Sequence, residues 1–172
     1  TLLDIARDMA YTGGPNTISI RILAKKAGIA AGTVYNYFSG KDEILLALTE
    51  EYWKKTLQEM QAEITGGSFA AQLESIFRFL STRVQGPAGM LMESLRNTEE
   101  AGQTYMRAMQ RVLGGALLRR MEQDRSIREG IWTDSLTQKD YAAFILTNLM
   151  ASLRMKSTDI HFLLEIVNRT LY

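Results

Sequence analysis

The sequence predicts an all-helical fold: a small N-terminal three-helix domain carrying a helix-turn-helix, followed by a larger helical bundle. Three observations predict it. Apolar residues recur at helical spacing along nearly the whole chain, with neither strand alternation nor an internal repeat. Glycine, proline and serine clusters break that pattern at short intervals. Residues 20–41 pack two short helical patterns around one glycine. With 172 residues, 46% of them hydrophobic, the chain can bury a sizeable core, and the expected division is 1–45 and 46–172.

The second helix of the small domain is the clearest. Ile20, Leu23, Ala24 and Ala27 stand at i, i+3, i+4, i+7, with Arg21, Lys25 and Lys26 on the other side. Ser19 or Thr17 can cap its start, and Gly28 supplies the left-handed residue that ends it. Ahead of it, Thr12-Gly13-Gly14-Pro15-Asn16 is rich in breakers and predicts a loose turn. Beyond Gly28, a third helix places Ala30, Val34 and Phe38 on one side and Gly32, Thr33, Tyr35 and Asn36 on the opposite arc.

That arc suits duplex DNA. Gly32 permits close approach, Asn36 can pair with the N6/N7 edge of adenine, and Thr33 and Tyr35 can donate to phosphate oxygens, as can Tyr37 at the boundary. Lys41 opens the next helix, where a cation opposes the helix dipole, so a bound anion explains it best. Asp42 and Glu43 obey the dipole. Taken singly, each residue also fits a bland role, the tyrosines as half-buried packing groups and the lysine as a solvated cation.

The segment Gly28-Ile29-Ala30-Ala31-Gly32-Thr33-Val34-Tyr35-Asn36-Tyr37-Phe38, followed by Lys41-Asp42-Glu43-Ile44-Leu45, resembles the helix-turn-helix signature of the TetR family of transcriptional regulators. The resemblance reaches upstream through Leu23-Ala24-Lys25-Lys26-Ala27 and covers roughly residues 1 to 50. It implies that Thr33, Tyr35, Tyr37 and Lys41 match positions that commonly touch DNA, that the protein reads the major groove as a dimer, and that the helical domain binds an inducer. Two departures stand out: Ala30 occupies a position usually held by a capping serine, at a cost of about 1 kcal/mol, and Ala31 occupies one that is often basic. Members often carry a basic N-terminal arm, which would lie ahead of Thr1.

Further along, a long helix is expected from about Asp42 to Ile64, stopped by Thr65-Gly66-Gly67-Ser68, and another from Phe69 to about Gln85, ended by Gly86-Pro87. A short helix from Met90 to Arg96 precedes a long one from roughly Glu99 to Asp124, in which Gly114-Gly115 predicts a kink or a close contact. After an irregular stretch through Gly130 and Trp132, two helices close the chain: about Gln138 to Met155 behind Thr137, with Asp140 three positions on, and Asp159 to Leu171 behind Ser157.

These last helices are apolar on nearly every face and so require cover on two sides. A four-helix bundle shared between two subunits supplies it, with Tyr141, Phe144, Ile145, Asn148, Leu149 and Ser152 of one helix and Leu163 and Val167 of the other as candidate dimer contacts. The family resemblance implies the same interface. In the middle of the chain Trp53, Leu57, Met60, Phe77 and Leu80, then Met90, Met92, Tyr105, Met106 and Met109, offer aromatic and thioether surface for a small hydrophobic or amphipathic inducer, though ordinary core packing explains each of them too. Arg78, Arg83 or Tyr105 could orient a polar group.

Charge and composition narrow the classes. Residues 1–41 hold five cations against two carboxylates, a net of +3; the whole chain is +1, which leaves −2 elsewhere. A basic reader on an acidic body fits specific rather than indiscriminate DNA binding. With one histidine, His161, and no cysteine, most nucleophile–base pairs and any thiolate metal site are excluded. Neighbouring acids such as Glu50-Glu51 point to different helix faces, and Gly13-Gly14-Pro15 lacks the strand and lysine of a phosphate loop. No apolar run is long enough to span a bilayer, no signal-peptide pattern precedes the first helix, and a cytoplasmic site is expected. The expectation is therefore a non-enzymatic, cofactor-free, homodimeric DNA-binding regulator, most simply a repressor of a palindromic operator released by an inducer. The competing expectation is a helical protein-interaction module of the same fold that reads DNA poorly.

Overall fold

The computed structural model describes residues 1–96 and 100–172, and of residues 87, 88, 92, 96, 100 and 101 only the backbone. Among the described residues there are nine α-helices, one short 3-10 turn at Pro15–Thr17 and no strand: α1 Leu2–Gly13, α2 Ile20–Ala27, α3 Ala31–Tyr35, α4 Lys41–Glu63, α5 Phe69–Val84, α6 Pro87–Arg96, α7 Glu100–Gln123, α8 Gln138–Arg154 and α9 His161–Leu171. The expected start of the α7 helix, Glu99, and the side chain of Met92 lie outside the described residues. No described helix is long and apolar enough to cross a membrane.

The chain forms two compact units, residues 1–56 with 83–106 and residues 57–82 with 107–172. In the first, Ala6, Met9 and Ala10 of α1, Ile20, Leu23 and Ala24 of α2, Val34 of α3 and Ile44, Leu45 and Leu48 of α4 share one core with Leu91 and Leu95 of α6. An Arg7 guanidinium bonded to Asp4 at 2.8 Å and to both oxygens of Glu51 at 2.7 Å pins α1 to α4. Thr1 and Asp4 form a capping box that starts α1. Pro87, expected to end a helix, instead opens α6, where a missing N–H costs nothing.

In the second unit Phe69, Leu73, Ile76, Phe77 and Leu80 of α5 and Leu117 and Met121 of α7 are buried, as are Tyr141, Ile145 and Leu149 of α8 and Leu163, Val167 and Leu171 of α9. Helix α7 runs unbroken through Gly114-Gly115; a Cβ on Gly114 would stand 3.1 Å from Leu146, so the glycine serves a close contact between α7 and α8. The first amides of α5 are capped from afar: Asp124 Oδ2 accepts from Phe69 N–H at 2.7 Å and the Tyr172 hydroxyl from Ala70 N–H at 3.3 Å. Ser157 does not cap the last helix. Helix α9 begins at His161, whose N–H donates to Asp159 Oδ1 at 3.0 Å.

Candidate nucleic-acid interface

The helix-turn-helix is built from short-range rules. Ser19 caps α2 by accepting from Ile22 N–H at 3.1 Å, and Gly28, at φ 69°, closes it. Arg21, Lys25 and Lys26 stay exposed on its outer side. Helix α3 is only five residues long, and Phe38 N–H donating to Val34 O at 3.0 Å extends the turn beyond it. Val34 is fully buried and Phe38 half-buried. Ala30, expected on the buried side, is exposed, because it is the extended N-cap residue ahead of the helix; its methyl makes no capping bond.

Around that single anchor the remaining side chains face solvent. Gly32, Thr33 and Asn36 are exposed, Tyr35 is 57% and Tyr37 67% exposed. A Cβ on Gly32 would meet nothing within 4 Å, so the chain's own packing does not require a glycine there. Glycine inside a helix nonetheless costs about 0.5–1 kcal/mol relative to alanine. Lys41 begins α4 and is half-buried. Two residues on, Glu43 accepts from Ser39 N–H at 2.5 Å, which closes the helix start and holds its carboxyl below the usual range.

The turn before α2 is locked rather than loose. Pro15 is buried, the Thr17 hydroxyl donates to Met9 O at 3.1 Å and to Gly14 O at 2.7 Å, and Gly14 sits at φ 81°. Gly13 is required as well, since a Cβ there would stand 2.6 Å from Thr17 Cγ2. Composition marks the breakers but not the two bonds from Thr17 back to Met9 and Gly14 that fix them.

The other candidate residues divide. Trp53, Met90, Tyr105 and Met106 belong to the first unit and Leu57, Met60, Phe77, Leu80 and Met109 to the second. Leu57, Met60, Phe77 and Leu80 are buried, whereas Met90 is exposed. Trp53 is also buried, and its Nε1–H has no partner among the described residues. Burial, with the nearby charge of Glu50, pushes the Tyr105 hydroxyl up to about 12. A cleft of about 270 Å³ in the second unit is lined by Glu74, Phe77, Arg78, Thr158, Asp159, Ile160, His161 and Leu164. Only Phe77 and Arg78 among the expected ligand contacts reach it, and Arg78 is bonded to Glu74.

Of the expected dimer contacts, Tyr141, Ile145, Leu149, Leu163 and Val167 are buried in the second unit's own core, because a helix that is apolar all round must first cover its inner side. Phe144 is exposed, with Asn148 and Ser152 half-buried. Thr147 of α8, Met155 just after it and Phe162 of α9, none of them an expected contact, are exposed as well, and Ala151 and Ile166 are half-buried. Met155 and Phe162 are each 78% exposed. Among the described residues no cluster of His, Cys, Asp and Glu could hold a metal.

Residues 2–48 match the model of the bacterial regulatory proteins of the tetR family. The fatty acid metabolism regulator protein of Bacillus subtilis is 32% identical over 63 residues, covering 37% of this chain; the matched stretch spans 32% of that relative's length. Over nearly the whole chain the likeness is one of fold. A TetR/AcrR-family transcriptional regulator from Thermobifida fusca superposes with a TM-score of 0.64 at 15% identity, covering 98% of this chain and 92% of its own. The regulator FadR of Bacillus subtilis, solved with stearoyl-CoA, gives 0.58 at 20% identity, covering 98% and 93%.

Proposed function

We propose that this chain, whose N-terminal domain belongs to the TetR family of bacterial regulatory proteins, is a homodimeric repressor that binds a palindromic operator and is released by a small hydrophobic or amphipathic inducer. The observation that carries the reading is the solvent-facing arc of Gly32, Thr33, Tyr35, Asn36 and Tyr37 over a single buried valine, with Lys41 at the next helix start. A tyrosine that serves packing would be buried; these two are not. Gly32 adds an argument of its own: a helix that tolerates glycine without a steric need for it gains from letting another backbone come close.

In this reading residues 1–45 are the DNA-binding domain and 46–172 carry ligand binding and dimerisation. Phe144, Asn148 and Ser152 with Met155 and Phe162 form the contact between subunits, and the buried members of the expected set support it from behind. Two heads so joined would sit about 34 Å apart, one turn of the duplex. The inducer is held by the aromatic residues Trp53 and Tyr105 of the first unit. The unpartnered Trp53 indole N–H gives it a hydrogen-bond donor, and the stearoyl-CoA held by FadR, a protein of the same fold, is a precedent for an amphipathic ligand. Release needs an inducer with unequal affinity for the two conformations. Leu91 and Leu95 give it a route, because α6 shares the core of α1 and α2.

The test is selection from a random duplex pool at near-physiological salt. Wild-type protein should enrich a palindrome with half-sites one turn apart, and Tyr35→Ala and Lys41→Ala should each weaken binding to it about tenfold or more with the dimer intact. No enrichment, or variants that bind as wild type, would favour a protein-interaction module.

A further inference from the structure

The turn between α1 and α2 places one more polar side chain beside Lys41. Asn16 is exposed at the middle of Pro15–Thr17, and its Oδ1 accepts from Lys41 Nζ at 3.5 Å. Lysine has no acceptor, so the amide must turn its oxygen to the ammonium, which leaves both Nδ2 hydrogens free for something else. The contact is long, so Lys41 is guided and keeps its other two N–H donors.

Such an arrangement is costly to build for nothing. The turn that presents Asn16 requires glycine at 13 for space and at 14 for its backbone, a buried proline, and a threonine hydroxyl that bonds two carbonyls. None of these features caps a helix start or fills a gap with the Asn16 side chain. They fix the turn with Asn16 on the surface, next to a cation that itself opposes the dipole of the helix it begins.

We infer that Asn16 and Lys41 form one phosphate-binding site for the DNA backbone, in which the amide oxygen of Asn16 positions the Lys41 ammonium and its Nδ2–H donates to the same phosphate. The inference rests on the DNA-binding reading above and adds a contact outside the helix-turn-helix proper. A neutral amide suits the place better than a second cation, since it can accept from Lys41 and donate to the anion at once. Phosphate contacts fix register without reading sequence, so the effect of Asn16 should not depend on which bases are bound.

The experiment uses the full chain, a fluorescent duplex enriched from a random pool, and an unrelated duplex of equal length, titrated across a range of salt. Asn16→Ala should weaken binding to both duplexes about tenfold with an unchanged melting temperature. It should leave the slope of log affinity against log salt as in wild type, because a neutral group releases no counterion. Asn16→Asp should lower the slope by about one ion, as Lys41→Ala does, because its carboxylate neutralises the lysine in place. A purely structural role for Asn16 would leave that slope alone.

If Asn16→Asp keeps the wild-type slope, or both Asn16 variants bind as wild type while Tyr35→Ala and Lys41→Ala weaken, Asn16 is a bystander and the inference falls alone. If Tyr35→Ala and Lys41→Ala also bind as wild type, or the wild type binds neither duplex, the DNA-binding reading falls and takes this site with it.

Discussion

Helix α3 with its following turn and helix α9 each bury a narrow stripe, but they expose different chemistry. Around Val34 the first leaves a glycine, hydroxyls and an amide in solvent, with cations close by on α2 and α4. Beside Leu163, Val167 and Leu171 the second leaves Phe162, with Met155 shortly before the helix, as largely exposed apolar groups. A polar and cationic surface over a small anchor is complete in water and gains from a polyanion. Two large apolar side chains exposed to the same degree are incomplete in water and gain from an apolar partner. The first surface can therefore be weakened without changing assembly, whereas loss of the second should undo both assembly and DNA binding.

Phe162→Glu should break that dependence most severely. It leaves the protomer's core untouched but puts a charge where the proposed subunit contact needs an apolar side chain. The expected outcome is a folded monomer by light scattering, and with bivalency lost, DNA affinity at least about a hundredfold weaker. A Phe162→Glu protein that remains dimeric would move the interface elsewhere.

How much of this was legible in the sequence follows the range of the interactions. Ser19, Gly28 and the outward arc of α3 were readable because a cap, a left-handed glycine and a 3.6-residue period are local properties. The α5 start at Phe69 was readable as well, behind Ser68, whose hydroxyl accepts from Ala71 N–H at 3.3 Å. What was not readable is that Asp124 and Tyr172, brought there only by the fold, cap its first two amides. The same limit applies to α8. Periodicity identifies a helix apolar all round, but it does not say that Tyr141, Ile145 and Leu149 face inward and Phe144 outward.

The Asp124 cap sharpens the comparison by making the second unit acid-sensitive. Burial alone would raise its carboxyl, but hydrogen bonds from Ser126, Tyr172 and the N–H of Phe69 outweigh that and hold it at about 2, below the ordinary aspartate value of 3.8. A folded value below the unfolded one means that the stabilisation is complete above about pH 4 and is lost as pH falls toward 2. Melting temperature should fall through that window. Asp124→Asn should melt lower at neutral pH and respond less to acid there, and an unchanged pH profile would remove Asp124 as the cause.

The smallest expected effects lie on α3 itself, where two substitutions should separate stability from DNA binding. Ala30 is extended and exposed at the N-cap, so Ala30→Ser can supply the missing acceptor and should stabilise the protein by about 1 kcal/mol in denaturant titration. Gly32→Ala should stabilise by about 0.5–1 kcal/mol, since the new methyl meets no atom of the subunit. Their effects on the enriched duplex should part. The serine hydroxyl should turn back onto the helix start and leave affinity near wild type, whereas in the proposed docking the Gly32→Ala methyl would meet the approaching duplex and should weaken binding despite the greater stability. Equal affinities for Gly32→Ala and wild type would mean that the duplex does not come close at Gly32, and the docking of α3 would have to be turned toward Tyr35 and Tyr37.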